Sequence, residues 1–328
     1  MEDLTFFSQN KCKKLMTPRK GETKFGEGLS FISSLKDLEN ADAQYVILGI
    51  PEDVGIRGNF GKPGASTTWD SFLSAFLNIQ ANQYNNPEDC VVLGHIDCNN
   101  AMREAARIME EEQDPEKLGA VAERIDKVVS RWISKIVAMG KTPVIIGGGH
   151  NNSYGNIKGT SRGLHKPINI LNIDAHTDLR RTDYRHSGNG FSFAKEEGFM
   201  ANYAMFGIHK NYTPQYIFDK YGNEDSISLT LFEELLPLST HEKLNAFKKH
   251  CRFLDHSFGL EIDCDAIAQF SSSAMTPIGF SLCDIHNFIG IAKKHRPHYM
   301  HLCEAAAKGN AQIGKALSYL VAHFIRKD

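Results

Sequence analysis

Six short, nearly continuous apolar runs punctuate this chain, and each ends in glycine or in a polar cluster. They read YVILGI at 45–50, PVIIGGG at 143–149, INILNIDA at 168–175, YAMFGI at 203–208, SFGLEID at 257–263 and YMHLCEA at 299–305. A strand with one wetted face alternates apolar and polar residues. Runs without alternation need both faces covered, which is the condition of a parallel sheet between two layers of helix. The segments between them supply the helical period. In DPEKLGAVAERIDKVVSRWISKIVAMGKTP, the residues Leu118, Val121, Ile125, Val128, Trp132 and Ile136 recur at three- and four-residue steps. Asp114 and Pro115 predict the N-cap and first turn of this helix, and Gly140 its end. Alternating strands and helices predict right-handed crossovers and a three-layer α/β/α sandwich around a mainly parallel sheet.

A chain of 328 residues fits one such domain, and no Pro-rich, Ser-rich or low-complexity linker divides it. Residues 1–40 read as an N-terminal extension without an assigned structure. A net charge of −2 gives no electrostatic reason to expect nucleic acid or an anionic membrane as partner, so a small polar ligand is the better match. No segment approaches the roughly 20 apolar residues of a membrane span, and the first residues lack a secretory pattern; a cytoplasmic protein is expected. Seven cysteines without a CxxC pair fit a reducing compartment and argue against a zinc ribbon.

In open parallel sheets, ligands sit beyond the carboxyl ends of the strands. The polar clusters of this chain fall there. The run at 143–149 leads into His150, the run at 168–175 into Asp174, His176 and Asp178, and the run at 257–263 into Asp263 and Asp265. Residues two apart in an extended backbone share a face, so each cluster is expected to converge on one spot, with Cys264 turned the other way. Four carboxylates and two imidazoles at buried strand ends are costly unless a cation neutralises them. Six such groups exceed what one ion takes while leaving room for water, but two ions sharing carboxylates would use all six. Oxygen-rich ligation with some imidazole suits Mn²⁺, and two Mn²⁺ per chain are expected.

These residues resemble the arginase, or ureohydrolase, family, whose members carry GG(G/D)H, DAHxD and DxD segments in this order. Here they stand as GGGH at 147–150, DAHTD at 174–178 and DCD at 263–265. The resemblance implies an arginase-like fold over roughly residues 45–305. It also implies one ion on His150, Asp174, Asp178 and Asp263, and a second on Asp174, His176, Asp263 and Asp265. A water or hydroxide would lie between them, with Asp178 accepting its hydrogen bond. Glu304, after the last run, would hold the departing nitrogen cation.

Within the family, IPEDVGIRGNFGKPGA at 50–65 is similar to the formimidoylglutamases. So is Phe191, which follows Ser187-Gly188-Asn189 where arginases have a proton-moving His. The resemblance thus implies hydrolysis of N-formimino-L-glutamate to L-glutamate and formamide, a step of histidine degradation. Arg57 is expected to pair with a substrate carboxylate, Asn59 to lie beside it, and Ser187 and Asn189 to hold the amino-acid end. His186 and His209 are expected to be structural or surface histidines. Two stretches depart from the family pattern: HNN at 150–152 and AQFSSSAMTP at 268–277, which lacks a Pro-Gly turn. The rival functions are another ureohydrolase that releases urea from agmatine, guanidinobutyrate or arginine, a single-zinc deacylase, and a metal-binding protein without catalysis. The family usually assembles into symmetric rings, so a homo-oligomer is expected.

Overall fold

The computed structural model describes residues 3–255 and 257–327. Nine strands form one sheet: β1 (Leu4–Phe6), β2 (Tyr45–Gly49), β3 (Cys90–Ile96), β4 (Thr142–Ile146), β5 (Ile168–Ile173), β6 (Met200–Ile208), β7 (Ile227–Leu231), β8 (Phe258–Asp263) and β9 (Tyr299–Cys303). Their order is β1-β3-β2-β4-β9-β8-β5-β6-β7, with β1 antiparallel to β3 and the remaining pairs parallel. All six apolar runs are strands of this sheet. Three further strands were not marked by the sequence pattern. Among them β3, CVVLGHI, is almost as continuous as the others, whereas β7 is a half-buried edge strand.

Pleating sends alternate residues of each strand into two separate cores. Ile47, Val144, Ile146, Ile173, Ile262 and Leu302 pack with the helices Thr68–Phe76, Leu282–Ala292 and Ala311–Ile325. Val46, Leu48, Ile145 and Ile170 pack with Pro115–Ala138 and Asn152–Leu164 on the opposite face. The helix Pro115–Ala138 starts as its sequence predicts. The Asp114 carboxylate accepts from the backbone N–H of Glu116 and Lys117, and the chain leaves the helix at Met139 with Gly140 at φ +73°. Among the described residues no helix is long and apolar enough to cross a membrane.

Sheet order positions the site. β4, β9, β8 and β5 are consecutive neighbours at the centre, so the loops leaving their carboxyl ends are neighbours too. Register keeps them level: Ile173 pairs with Ile262, Asp263 with Cys303, and Ile146 with Leu302. Residues 150, 174–178, 263–265 and 304 therefore meet at one rim although up to 154 positions separate them.

Part of the N-terminal extension belongs to this sheet, because Phe6 pairs with Gly94. Gly94 has φ +131°, and a Cβ there would lie 1.9 Å from the Thr5 carbonyl oxygen. Gly94→Ala is expected to detach β1 and leave the parallel strands in place. Hydrogen exchange should show the Leu4–Phe6 amides opening while those of β4 and β5 stay protected; unchanged protection at Leu4–Phe6 would contradict this.

Candidate metal centre and active site

The two-residue spacing converges, but not through strand alternation. β5 ends at Ile173, and Asp174–Asp178 turn away from the extended conformation, with Asp178 at φ +49°. Asp265 lies in a 3₁₀ turn, Cys264–Ala266. The device in both motifs is a side-chain turn: Asp174 Oδ1 accepts from the His176 N–H at 2.8 Å, and Asp263 Oδ1 accepts from the Asp265 N–H at 2.6 Å. One oxygen of the first Asp thus folds the turn that brings its partner alongside, and the other faces the site. Cys264 is fully buried between them.

His150 follows a left-handed pair of glycines, Gly147 (φ +85°) and Gly148 (φ +77°), which reverse the chain after β4. A Cβ on Gly148 would meet Asn152 Nδ2 at 2.3 Å. That amide is in use: buried Glu52 accepts from the Asn152 and Asn151 amides and from the Gly149 and Val54 N–H groups. The HNN departure and the acid of IPED are therefore one structure, a carboxylate that fastens the His150 loop to the loop after β2. Burial raises the pKa of Glu52, and these donors work against it.

His150 Nδ1 lies 2.8 Å from Asp178 Oδ2, 3.1 Å from Asp263 Oδ2 and 3.2 Å from Asp174 Oδ2. A second group, His176, Asp263 and Asp265, has its ligand atoms within 4.8 Å of one another, and His176 Nδ1 is 3.6 Å from Asp174 Oδ1. All six residues foreseen as ligands are thus brought together, with Asp174 and Asp263 between the two groups.

The geometry tests whether a metal fits. His150 is buried, and neither ring nitrogen has a hydrogen-bond partner, although Nδ1 faces three carboxylate oxygens. A lone pair amid three acceptors is repelled, so this nitrogen either carries a proton or meets a cation. An octahedral divalent ion with ligands at roughly 2.1 Å spaces adjacent ligands by about 3 Å, the separation seen here. The donor set of carboxylate and imidazole without thiolate suits ions of the Mn²⁺ type.

Without a metal, charges within the cluster shift one another. Burial raises Asp178, Asp263 and Asp265, and the Asp174 carboxylate adds to all three. Burial opposes charge on His176, but the hydrogen bond and charge of Asp174 push its pKa up to about 10. Behind the cluster, Glu261 is an anion: burial would raise it, yet His301 and His150 hold it at about 2.

Against the cluster lies a cavity of about 220 Å³ walled by His176, Asp178, Asp263, Asp265 and Glu304, and by Asn59, Phe60, Arg180, Ser187, Tyr212 and Ser273 among others. Glu304 sits at φ +61°; its Oε1 accepts from the His150 N–H at 2.6 Å, while Oε2 has no partner. Burial, and then the Asp265 charge, push its pKa up to about 8. Left-handed backbone at two non-glycine residues of one site, Asp178 and Glu304, is strain of the kind that clusters where geometry matters.

The expected substrate contacts divide. Asn59 and Ser187 line the cavity, the Asn59 amide donating to Ser187 Oγ at 3.1 Å. Arg57 does not line it. Its Nε donates to Asp53 at 2.7 Å, and Asp53 also accepts from Gly64 N–H and Ser66 Oγ, so Arg57 braces its own loop. Asn189 is fully buried and spends its amide on Arg185, His186, Arg181 and Tyr184. Phe191 is buried, its ring edge-on to His150 at 5.1 Å. His186 and His209 are structural: His186 accepts from the Gly188 N–H, and His209 stacks on Phe232 at 4.6 Å.

Sequence reasoning missed Arg180, whose signal was its place two residues after DAHTD. Arg180 is exposed at the cavity and has no carboxylate partner among the described residues. It also missed Tyr212, which stacks on His176 at 5.3 Å and carried no signal. The loop 268–277 has a role after all: Ser273 Oγ and the Ala274 N–H donate to Asp265 at 3.2 and 3.0 Å.

A parallel α/β sandwich with paired carboxylate and imidazole clusters at its central strand ends defines the class, a protein fit to hold a binuclear metal centre. The chain belongs to the arginase family, whose model matches residues 43–324. It is 27% identical over 236 residues to the formimidoylglutamase of Hahella chejuensis, covering 69% of this chain and 63% of that one. To the formimidoylglutamase of Legionella pneumophila it is 24% identical over 255 residues, covering 76% and 72%. In the first case the match thus spans less than two thirds of the relative's length. The fold is that of Trypanosoma cruzi formiminoglutamase solved with Mn²⁺, at 18% identity, a TM-score of 0.73 and coverage of 93% of this chain and 97% of that one.

The metal-free protein is expected to lose stability as pH rises. The folded-state pKa of His176 lies above the unfolded value near 6.5, so its contribution is complete below that pH and disappears as pH climbs to about 10. The raised carboxyls act in the same direction, each binding its proton more tightly when folded. With ions bound, deprotonation of the ligands instead favours binding. Unfolding midpoints measured from pH 6 to 10 in chelator should fall, and should fall less with Mn²⁺; a rising metal-free midpoint would contradict the assignment.

Proposed function

We propose that this protein hydrolyses a C–N bond of a linear amidine that also bears carboxylate, with N-formimino-L-glutamate as substrate and glutamate and formamide as products. One observation carries the reading: beside the residues that would hold the ions, the cavity has an acid with a free oxygen, Glu304, and at its wall a guanidinium without a carboxylate partner, Arg180. A substrate cationic at one end and anionic at the other complements both. The formimidoylglutamase relatives support the same substrate.

His150, Asp174, Asp178 and Asp263 would hold one ion, and His176, Asp174, Asp263 and Asp265 the other. Mn²⁺ is the ion of the Trypanosoma structure and fits the donors. Two divalent ions supply activated water at neutral pH and electrostatic stabilisation of the charge that develops. The chain's residues do the rest. Arg180 anchors a carboxylate bidentately, a geometry lysine cannot match. Tyr212, stacked on His176, walls the side of the cavity and limits the poses of the amidine. Asp178, held by its left-handed turn, accepts a hydrogen bond from the attacking water and orients it. Glu304 presents Oε2 to the amidine N–H groups, while the His150 N–H fixes Oε1. Burial and then the Asp265 charge raise Glu304; with Asp265 holding a cation that charge is offset and the Glu304 carboxylate is favoured. The carboxylate then faces the nitrogen that leaves as a cation, where it stabilises the transition state more than the ground state.

The deciding assay compares formiminoglutamate, guanidinobutyrate, arginine and agmatine on the Mn²⁺-loaded protein. Agmatine, which ends in an amine, should be poorest, because Arg180 repels it. A preference for agmatine would overturn the reading.

Arg180→Ala is expected to raise KM for formiminoglutamate roughly 10- to 150-fold, the loss of a charge-assisted contact of about 1.5–3 kcal/mol, with a much smaller change in kcat. Arg57→Ala should leave KM within a few-fold and lower the thermal midpoint instead, since its partner is Asp53. Steady-state kinetics of the two variants side by side check this, and the reverse ranking would restore Arg57 as the anchor.

Glu304→Gln should concentrate its loss in kcat, by about 100-fold or more, as removal of a transition-state contact does. A variant that loses only KM would show that Glu304 binds substrate without acting on the leaving nitrogen.

A further inference from the structure

A metal-ligating imidazole has to present a lone pair, so its single proton must sit on the other ring nitrogen. In His150 the nitrogen facing the ion cluster is Nδ1, and the proton belongs on Nε2. Glu261 Oε2 lies 3.5 Å from that Nε2, and both side chains are buried at the centre of the sheet. The separation is longer than a formed N–H···O bond. Cys303, which completes this group, offers only a weakly accepting sulfur, and its own S–H points to the Ile262 carbonyl. Glu261 is therefore the carboxyl neighbour on the Nε2 side of the ring.

Glu261 is itself held. The Tyr299 hydroxyl donates to Oε1 at 2.7 Å, and His301 Nδ1 contacts Oε2 at 2.6 Å. These partners come from the next strand in register: Glu261 pairs with His301, and Gly259 with Tyr299. Gly259 makes room, since a Cβ there would lie 2.4 Å from the Tyr299 ring. The far nitrogen of His301 reaches the Gly147 carbonyl at 3.2 Å, on the glycine run that carries His150. The path from Glu261 through His301 and Gly147 thus returns to His150, and the Phe191 edge closes another side of the ring.

We propose that Glu261 is a positioning residue: held by Tyr299 and His301, it sets the tautomer and orientation of His150 so that Nδ1 is offered to one of the two ions. Tyr299 and His301 fix both oxygens of this buried carboxyl, so the side of Oε2 turned to His150 Nε2 is held in place rather than free to rotate away. Partners of this kind change metal affinity by about 10- to 100-fold. The inference rests on the metal reading of the cluster and not on the choice of substrate.

The test titrates the full-length apoprotein with Mn²⁺ against a competing chelator, for the wild type and for Glu261→Gln, Glu261→Leu and Tyr299→Phe. Thermal unfolding of each apoprotein reports folding, and the EPR signal of the coupled Mn²⁺ pair reports the second ion. Weakening by 10- to 100-fold is expected at one ion only, the one on His150, so that at intermediate Mn²⁺ the Glu261→Gln protein holds one ion per chain and shows an uncoupled signal. Glu261→Leu should be weaker still and Tyr299→Phe milder. Equal weakening of both ions, or unchanged affinities with only a lowered apoprotein midpoint, would assign Glu261 a purely structural role and overturn the proposal. A wild type that binds two ions but turns over none of the four candidate substrates would remove the proposed function and leave this inference standing.

Discussion

Repulsion among buried carboxylates is the constraint on which the rest of this structure depends. Asp174, Asp178, Asp263 and Asp265 are all at least nine-tenths buried and lie within a few ångströms of one another. At such distances, away from water, like charges cost several kcal/mol per pair. Two histidines cannot balance four acids, so the arrangement is stable only around cations or with protons shared among the acids. A fold that holds these groups together against that repulsion is fit to hold metal.

The means of holding them is a ring of local polar anchors. Each motif is folded by its own first aspartate, whose free oxygen then faces the site. Glu52 fastens the His150 loop, and Ser273 and Ala274 fasten Asp265. These anchors and their donors come from the loops after β2, β4, β5 and β8, and both carboxylate oxygens of Glu52 and of Asp265 are paired. That matters in a low-dielectric interior, where a half-satisfied polar network is worse than none. Among the buried groups left without partners, the His150 ring and Glu304 Oε2 lie at the cluster and its cavity.

Cavity polarity then follows from architecture. Strand ends at the sheet centre supply the acids, because β4, β9, β8 and β5 are neighbours there. The rim comes from loops, which supply Arg180, Asn59 and Tyr212. In the proposed function, chemistry falls to the rigid part of the fold and substrate choice to the adjustable part, as is common where loops surround a parallel sheet.

Much of this was legible in the sequence. Six apolar runs, a helix with its caps, and three polar clusters are properties of consecutive residues, and they marked most of the sheet, its two covered faces and the six side chains that the fold brings together. The strands β1 and β7 escaped because edge strands lack the doubly buried pattern, and Gly94 alone betrays how closely β1 approaches. What tertiary structure decided is which polar side chains remain free. Arg57 and Arg180 look alike in sequence, but Asp53 captures the first while the second meets no acid, and Asn189 is consumed by the backbone around it whereas Asn59 is not. Likewise Glu261 and His301 read as oddities in apolar strands until register sets them side by side behind His150. Local spacing determines which groups a strand end presents, but whether a group is spent or available depends on partners far along the chain, and only folding brings those partners within reach.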